Sequence, residues 1–171
     1  MYNLCEGQRI YLRNIELTDV KLMTKWKDDI IMRKMSVGLD TNISYENQFQ
    51  DIKISIEEGE ELYLIIVLKD NNESIGYIRI NWIDESKEMA WLRFGLGSHR
   101  QEGYAKEGLK LIIDYLFGLG THRIDAEVLS FNHSSQGTLK SVGFLHEGTR
   151  REAYYDGIEY VDILVFGIVK E

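Results

Sequence analysis

At 171 residues the chain has the length of one domain with a substantial core, so residues 1–171 are read as a single unit. Its 44% hydrophobic and 28% charged content excludes a disordered chain, and no apolar run approaches the roughly 20 residues that cross a bilayer. A formal net charge of −8 argues against nucleic acid as a partner and suits a cationic substrate better.

The opening "MYNLCEGQRI" lacks the basic and apolar blocks of a signal peptide, so a cytoplasmic location with no membrane partner is expected. "QRIYLRNI" sets Ile10 and Leu12 against Arg9, Tyr11 and Arg13, the alternation of a half-buried strand. In "ELTDVKLMTKWKDD", Thr18 or Asp19 can cap a helix that carries Val20, Met23 and Trp26 on one side. A second helix starts at Ser44 in "SYENQFQDIKISIEEG", with Tyr45, Phe49, Ile52 and Ile56 at helical spacing.

The period then changes. "LYLIIVL" and "SIGYIRINWI" flank the polar turn "KDNNE" as a hairpin, and "EMAWLRFGLG" adds a third strand after "DESK". A helix follows with Ala105, Leu109, Ile112, Ile113 and Leu116 on one face, ended by Gly118 or Gly120. "RIDAEVLS" is a strand in which Ile124, Ala126 and Val128 oppose Asp125 and Glu127. A short helix over 132–141 stops near Gly143, and Asp156-Gly157 turns a closing hairpin. The order predicts a mixed α/β (α+β) fold with a largely antiparallel sheet flanked by helices.

The segment "GSHRQEGYAKEG" joins a strand directly to an apolar helix. It lacks the glycine-lysine-serine/threonine end of a Walker loop and the three-glycine spacing of a dinucleotide fingerprint. Small residues at a helix start can turn successive N–H groups toward a phosphate, and the helix dipole favours its charge. An ordinary strand-to-helix turn with a capping glycine has the same composition. Arg100 is either a second source of positive potential or a solvated loop arginine.

Within that loop Arg100-Gln101-Glu102-Gly103-Tyr104-Ala105 resembles the (Gln/Arg)-x-x-Gly-x-(Gly/Ala) pattern of the GNAT superfamily of acyl-CoA-dependent N-acetyltransferases. Three further segments resemble that superfamily in the same order. "RIYLRNIELTD" looks like the opening of its ribosomal-protein N-terminal acetyltransferase branch, whose relatives include spermidine acetyltransferases. "SFNHSSQGTLKSVGF" is similar to an Asn-x-x-Ser…Gly-Phe segment, and "HEGTRREAYYDGIEYVDILVFGI" to the closing hairpin.

The resemblance implies a splayed central strand and acetyl-CoA as cosubstrate. Phe94, Gly95 and Leu96 would face its pantetheine arm. Arg100 and the N–H groups of Gln101, Glu102, Gly103, Tyr104, Ala105 and Lys106 would hold the pyrophosphate, and Asn132 and Ser135 would lie beside the thioester. Asparagine at 132 also suits a helix cap. Many superfamily members carry a tyrosine four residues before the Gly-Phe pair, to protonate the leaving thiolate. Here that position is Leu139. The expected catalytic groups are therefore the backbone N–H around Leu96 for the oxyanion, Ser135 toward the leaving sulfur, and Glu127 as a weak base through water.

The implied reaction is direct acetyl transfer to a primary amine, first of all a protein N-terminal α-amine. A polyamine or antibiotic amine is the alternative, and a catalytically silent CoA-binding module, with homodimerisation left open, is the competitor from another class. Trp26, Tyr45, Trp82 and Tyr154 are either acceptor-pocket or core aromatics. His99, His122, His133 and His146 lack metal-ligand spacing, so no metal is expected, and the lone Cys5 is read as an inert thiol.

Overall fold

A computed structural model describes residues 3–36 and 43–171. Strands β1 (Asn3–Glu6) and β2 (Ile10–Asn14) lead through a 3-10 turn, Leu17–Asp19, into α1 (Val20–Asp28) and α2 (Ile30–Met35). Then come α3 (Tyr45–Glu58), β3 (Glu61–Leu68), β4 (Ser74–Trp82), β5 (Met89–Leu96), α4 (Tyr104–Leu119), β6 (Arg123–Leu129), α5 (His133–Ser141), β7 (Leu145–Tyr155) and β8 (Tyr160–Val169). The strands form one sheet in the order β1-β2-β3-β4-β5-β6-β8-β7. Every pairing is antiparallel except β5 with β6, which α4 connects. The mixed, largely antiparallel fold is as expected.

Strand β3 shows why both faces of the sheet are covered. Leu64, Ile66 and Leu68 enter one core with Leu109, Ile112 and Leu116 of α4. Tyr63, Ile65 and Val67 point the other way, into a second core with Val20, Met23 and Trp26 of α1 and Ile52 of α3. Period-two alternation divides one apolar run between two layers. Burial of each such aliphatic side chain stabilises by roughly 1.5–3 kcal/mol.

Two helix readings change. Asp19 stands at the N-cap of α1 but does not cap it. Its carboxylate instead takes two guanidinium bonds from Arg13 at 2.7 Å and the Glu16 N–H at 2.9 Å, and Thr18 also leaves the cap unmade. In α3, Ser44 caps as expected, but Tyr45 and Ile56 are exposed and the buried stripe is Gln48, Ile52 and Ser55. Asp51 of that helix is bound to Arg79 of β4, which rotates a polar flank toward the sheet.

Pairing between β5 and β6 is brief: Met89 with Arg123, Ala90 with Ile124, Trp91 with Asp125. Both strands then run on unpaired with each other, β5 to Leu96 and β6 to Leu129. This is the splayed central strand.

Candidate active site

Backbone direction decides what the gap offers. The Gly97 N–H donates to the Ile75 carbonyl at 2.8 Å, toward β4. Peptide groups alternate along a strand, so those of Phe94 and Leu96 face away from β4, into the gap. On the far side the Arg123 N–H reaches the Glu88 carbonyl at 3.0 Å, and the same alternation turns the peptide of Glu127 inward. Buried peptide groups require partners, and these have lost the neighbouring strand.

Below the gap lies the start of α4. Gly103 is its N-cap, with φ of +85°, and no side chain caps it. The first helical bond runs from the Glu107 N–H to the Gly103 carbonyl at 3.1 Å. The N–H groups of Tyr104, Ala105 and Lys106 therefore have no partner within the helix. Gln101 also has positive φ, +67°. Gln101, Gly103, Ala105 and Lys106 line a cavity of about 810 Å³ that continues into the gap past Phe94, Gly95 and Leu96.

The loop is held from outside by Arg9, whose guanidinium donates to the Glu102 carbonyl at 3.0 Å and pairs with Glu107 at 2.9 Å. The same group lies 4.3 Å from the centroid of the Tyr104 ring. Neither Glu102 nor Tyr104, both expected at the cofactor, lines the cavity. Arg100 is not a free loop arginine: its Nε donates to the Leu96 carbonyl and its Nη2 to Asp29 Oδ1, both at 2.9 Å.

From the opposite wall α5 contributes Asn132, Ser134, Ser135 and Thr138. Asn132 caps α5 by accepting the Ser135 N–H at 3.1 Å and donates its amide to the Met35 carbonyl at 3.1 Å. The Ser135 hydroxyl lines the cavity without a hydrogen-bond partner among the described residues. Leu139 is fully buried in the core. Glu127, on the strand face opposite the apolar residues, lines the cavity, is half-buried, and is ion-paired with Arg150.

The family model of the acetyltransferase (GNAT) domain matches residues 9–145. The chain belongs to the GNAT acetyltransferase family. The N-acetyltransferase p20 of Bacillus licheniformis is 30% identical over 167 residues, covering 95% of this chain and 94% of that protein. Among solved structures, spermidine N-acetyltransferase from Vibrio cholerae, in complex with CoA and spermine, superposes with a TM-score of 0.85 at 18% identity, over 95% of this chain and 96% of that one. Ribosomal-protein-S5-alanine acetyltransferase from Vibrio fischeri gives 0.83 at 17% identity, over 97% and 96%. At such identities the two structures share the fold alone.

The rest of this acetyltransferase's cleft was missed in the sequence. On the α1–α2–α3 side of the sheet the cavity is lined by Lys27, Met32, Tyr63, Tyr77, Arg79 and Arg93. The strand alternation held the signal: Tyr77, Arg79 and Asn81 oppose Ile78 and Ile80, and Trp91 and Arg93 oppose Leu92 and Phe94. The aromatics suggested by the sequence, Trp26, Tyr45, Trp82 and Tyr154, all lie outside the lining. Trp26 is core, packed so close to Gly97 that a Cβ there would sit 2.0 Å from the indole.

Arg79 is bound by Glu61 and by Asp51 and is fixed. Lys27 is buried, 3.8 Å from Asp51 Oδ2 and 5.7 Å from the Tyr63 ring centroid. Burial lowers its pKa to about 8, with Arg79 and Arg93 pushing the same way and Asp51 opposing. Desolvation likewise raises the phenols of Tyr63 and Tyr77, so both stay neutral. His133 is exposed and outside the cavity, and no group of histidine, cysteine or carboxylate side chains among the described residues could hold a metal.

Proposed function

We propose that the protein transfers the acetyl group of acetyl-CoA to the α-amine of a peptide or protein N-terminus by direct attack. Acetyl-CoA is the cosubstrate, and it supplies an activated thioester carbonyl. In this reading the N–H groups of Tyr104, Ala105 and Lys106 and the loop around Gly103 hold the pyrophosphate, as a helix N-terminus does. Phe94 offers its inward peptide group to the pantetheine amides, while the Leu96 carbonyl is held by Arg100. The Leu96 N–H donates to the carbonyl oxygen as negative charge develops on it, and Ser135 and Asn132 lie on the leaving-group side.

The observation that carries the choice of acceptor is the charge of the α1–α2–α3 side of the cleft. Lys27, Arg79 and Arg93 line it, while Glu127 across the gap is the lone carboxylate of the lining among the described residues and is paired with Arg150. A polyamine would bring several ammonium groups against these cations. An α-amine ordinarily titrates at about 7.7–8.0, so a large fraction is neutral and nucleophilic at physiological pH without a strong base. No thiol stands in the cleft among the described residues: Cys5 is on β1, outside the cavity.

The test is thiol release from acetyl-CoA with N-terminal peptides, a polyamine and an aminoglycoside-type amine, with mass spectrometry of the enzyme. Peptide α-amine acetylation without an acetyl-enzyme is expected, and Cys5→Ser should keep nearly full turnover. Exclusive use of the polyamine, or no turnover of any amine, overturns the reading.

A further inference from the structure

Lys27 has an unusual position for a lysine. Its side chain is 9% exposed, it lines the cleft, and no acceptor among the described residues lies within hydrogen-bonding distance. An ammonium group taken from water into such a place costs free energy unless something completes its shell. The groups that face it are Asp51 from α3, Arg79 from β4, Arg93 from β5 and Glu61 from β3, with the neutral Tyr63 and Tyr77 rings. Asp51 and Glu61 spend their oxygens on Arg79. Arg93 donates to the Asn81 amide oxygen, at 2.5 Å.

Three cations thus face two carboxylates, and one positive charge at the floor of the cleft is left uncompensated. We propose that the acceptor carries a single carboxylate close to its amine, and that Lys27, assisted by Arg93, binds it. This inference rests on the amine-acetylation reading and narrows it. A single negative charge matches the uncompensated charge of the site, whereas a doubly charged phosphate would meet Asp51 and Glu61. The overall charge of −8 keeps such a ligand from general adhesion, so discrimination falls to this local pair.

The experiment compares kcat/KM for matched acceptors on the full chain. The acceptors are a peptide with N-terminal Asp against its Asn isostere, and free alanine against alaninamide, with spermidine as a third arm. At pH 7 the acid should be preferred at least tenfold, and whichever pair shows it identifies the source as a peptide or a free amino acid. Lys27→Met should abolish most of that preference, and Arg93→Gln, at an exposed position, should reduce it about threefold to tenfold. The preference should also fall as pH rises through about 8, where the Lys27 ammonium loses its proton, and this limb should vanish in Lys27→Met.

If Lys27→Met does not fold, Arg93→Gln and the wild-type pH profile carry the test. Equal kcat/KM for acid and amide overturns this inference while leaving α-amine acetylation standing. So does an acid preference that neither variant changes. Preference for spermidine over every peptide and amino acid overturns both.

Discussion

Arg100 joins the loop before α4 to α2 through Asp29. One carboxylate oxygen of Asp29 accepts the Arg100 guanidinium at 2.9 Å and also the Ile31 and Met32 N–H groups at 3.1 Å. The cap on α2 and the clasp on the loop are therefore one oxygen atom. The Met32 N–H, and then the Arg100 guanidinium, hold Asp29 below the usual carboxylate range. At its other end α2 offers the Met35 carbonyl to Asn132, the cap of α5. A six-residue helix is too short to hold its own shape, so its place on the cavity wall depends on these two ties.

The first prediction follows from the shared oxygen. Arg100→Met should raise KM for the acceptor severalfold as well as weakening acetyl-CoA. Asp29→Asn keeps an oxygen for the cap but loses the charge pair, and should do the same more mildly. Because both act through one contact, the double variant should be little worse than Arg100→Met alone. Steady-state kinetics with both substrates varied checks this, and an acceptor KM unmoved by Arg100→Met would uncouple α2 from the loop.

Gly103 should be intolerant of a side chain. Its φ of +85° lies in the left-handed region, and a Cβ there would come 3.3 Å from Arg9 Nη2. A β-branched residue must leave that conformation and so re-aim the N–H groups that follow it. Gly103→Val should weaken acetyl-CoA at least tenfold by calorimetry with the fold retained by circular dichroism. Normal affinity would take the pyrophosphate away from this loop.

Lys27 should trade stability for binding. Its folded pKa, about 8, lies below the unfolded value, so the fold disfavours the ammonium form. Above pH 8 the unfolded chain binds more protons at this site, and stability from it rises with pH until about 10.4, then levels. At pH 7 the penalty is present in full. Lys27→Met should therefore stabilise the ligand-free protein by on the order of 2 kcal/mol at pH 7. The gain should shrink toward zero by about pH 10, which paired thermal melts across that range measure. A gain independent of pH would mean that packing, not charge, is responsible.

Element order and loop position were legible because they are written in local patterns. Ile10 and Leu12 alternate, Asp156-Gly157 marks its hairpin, and Gly103 and Gly120 bracket α4. What escaped was non-local or short. Strand β1 has four residues and exists because β2 pairs with it. Helix α2 depends on Asp29 and Met35 being held from elsewhere. The Tyr45–Ile56 stripe has correct spacing but the Asp51–Arg79 pair turned the helix past it. Trp26 has the look of a ligand-facing aromatic until Gly97 is seen to receive it. The lining on the α1–α2–α3 side of the cleft is assembled from α1, α2, β3, β4 and β5, so no contiguous motif could announce it.

Proton handling at the leaving sulfur gives the last prediction. Leu139 is core and cannot donate, and Thr138 already gives its hydroxyl to the Ser134 carbonyl at 3.0 Å. Ser135 is left with a free hydroxyl on the cavity wall, on a backbone pinned by its N–H to Asn132. Ser135→Ala should lower kcat by roughly tenfold to a hundredfold, the lower range for a positioned proton donor, with little change in acetyl-CoA affinity. Glu127 is turned toward Arg150, so its oxygens are partly spent on that pair. Glu127→Gln should therefore have the smaller effect. Both rates must be measured under conditions in which chemistry limits turnover. An unchanged kcat for Ser135→Ala across the pH range would remove the hydroxyl from the mechanism and assign the proton to water.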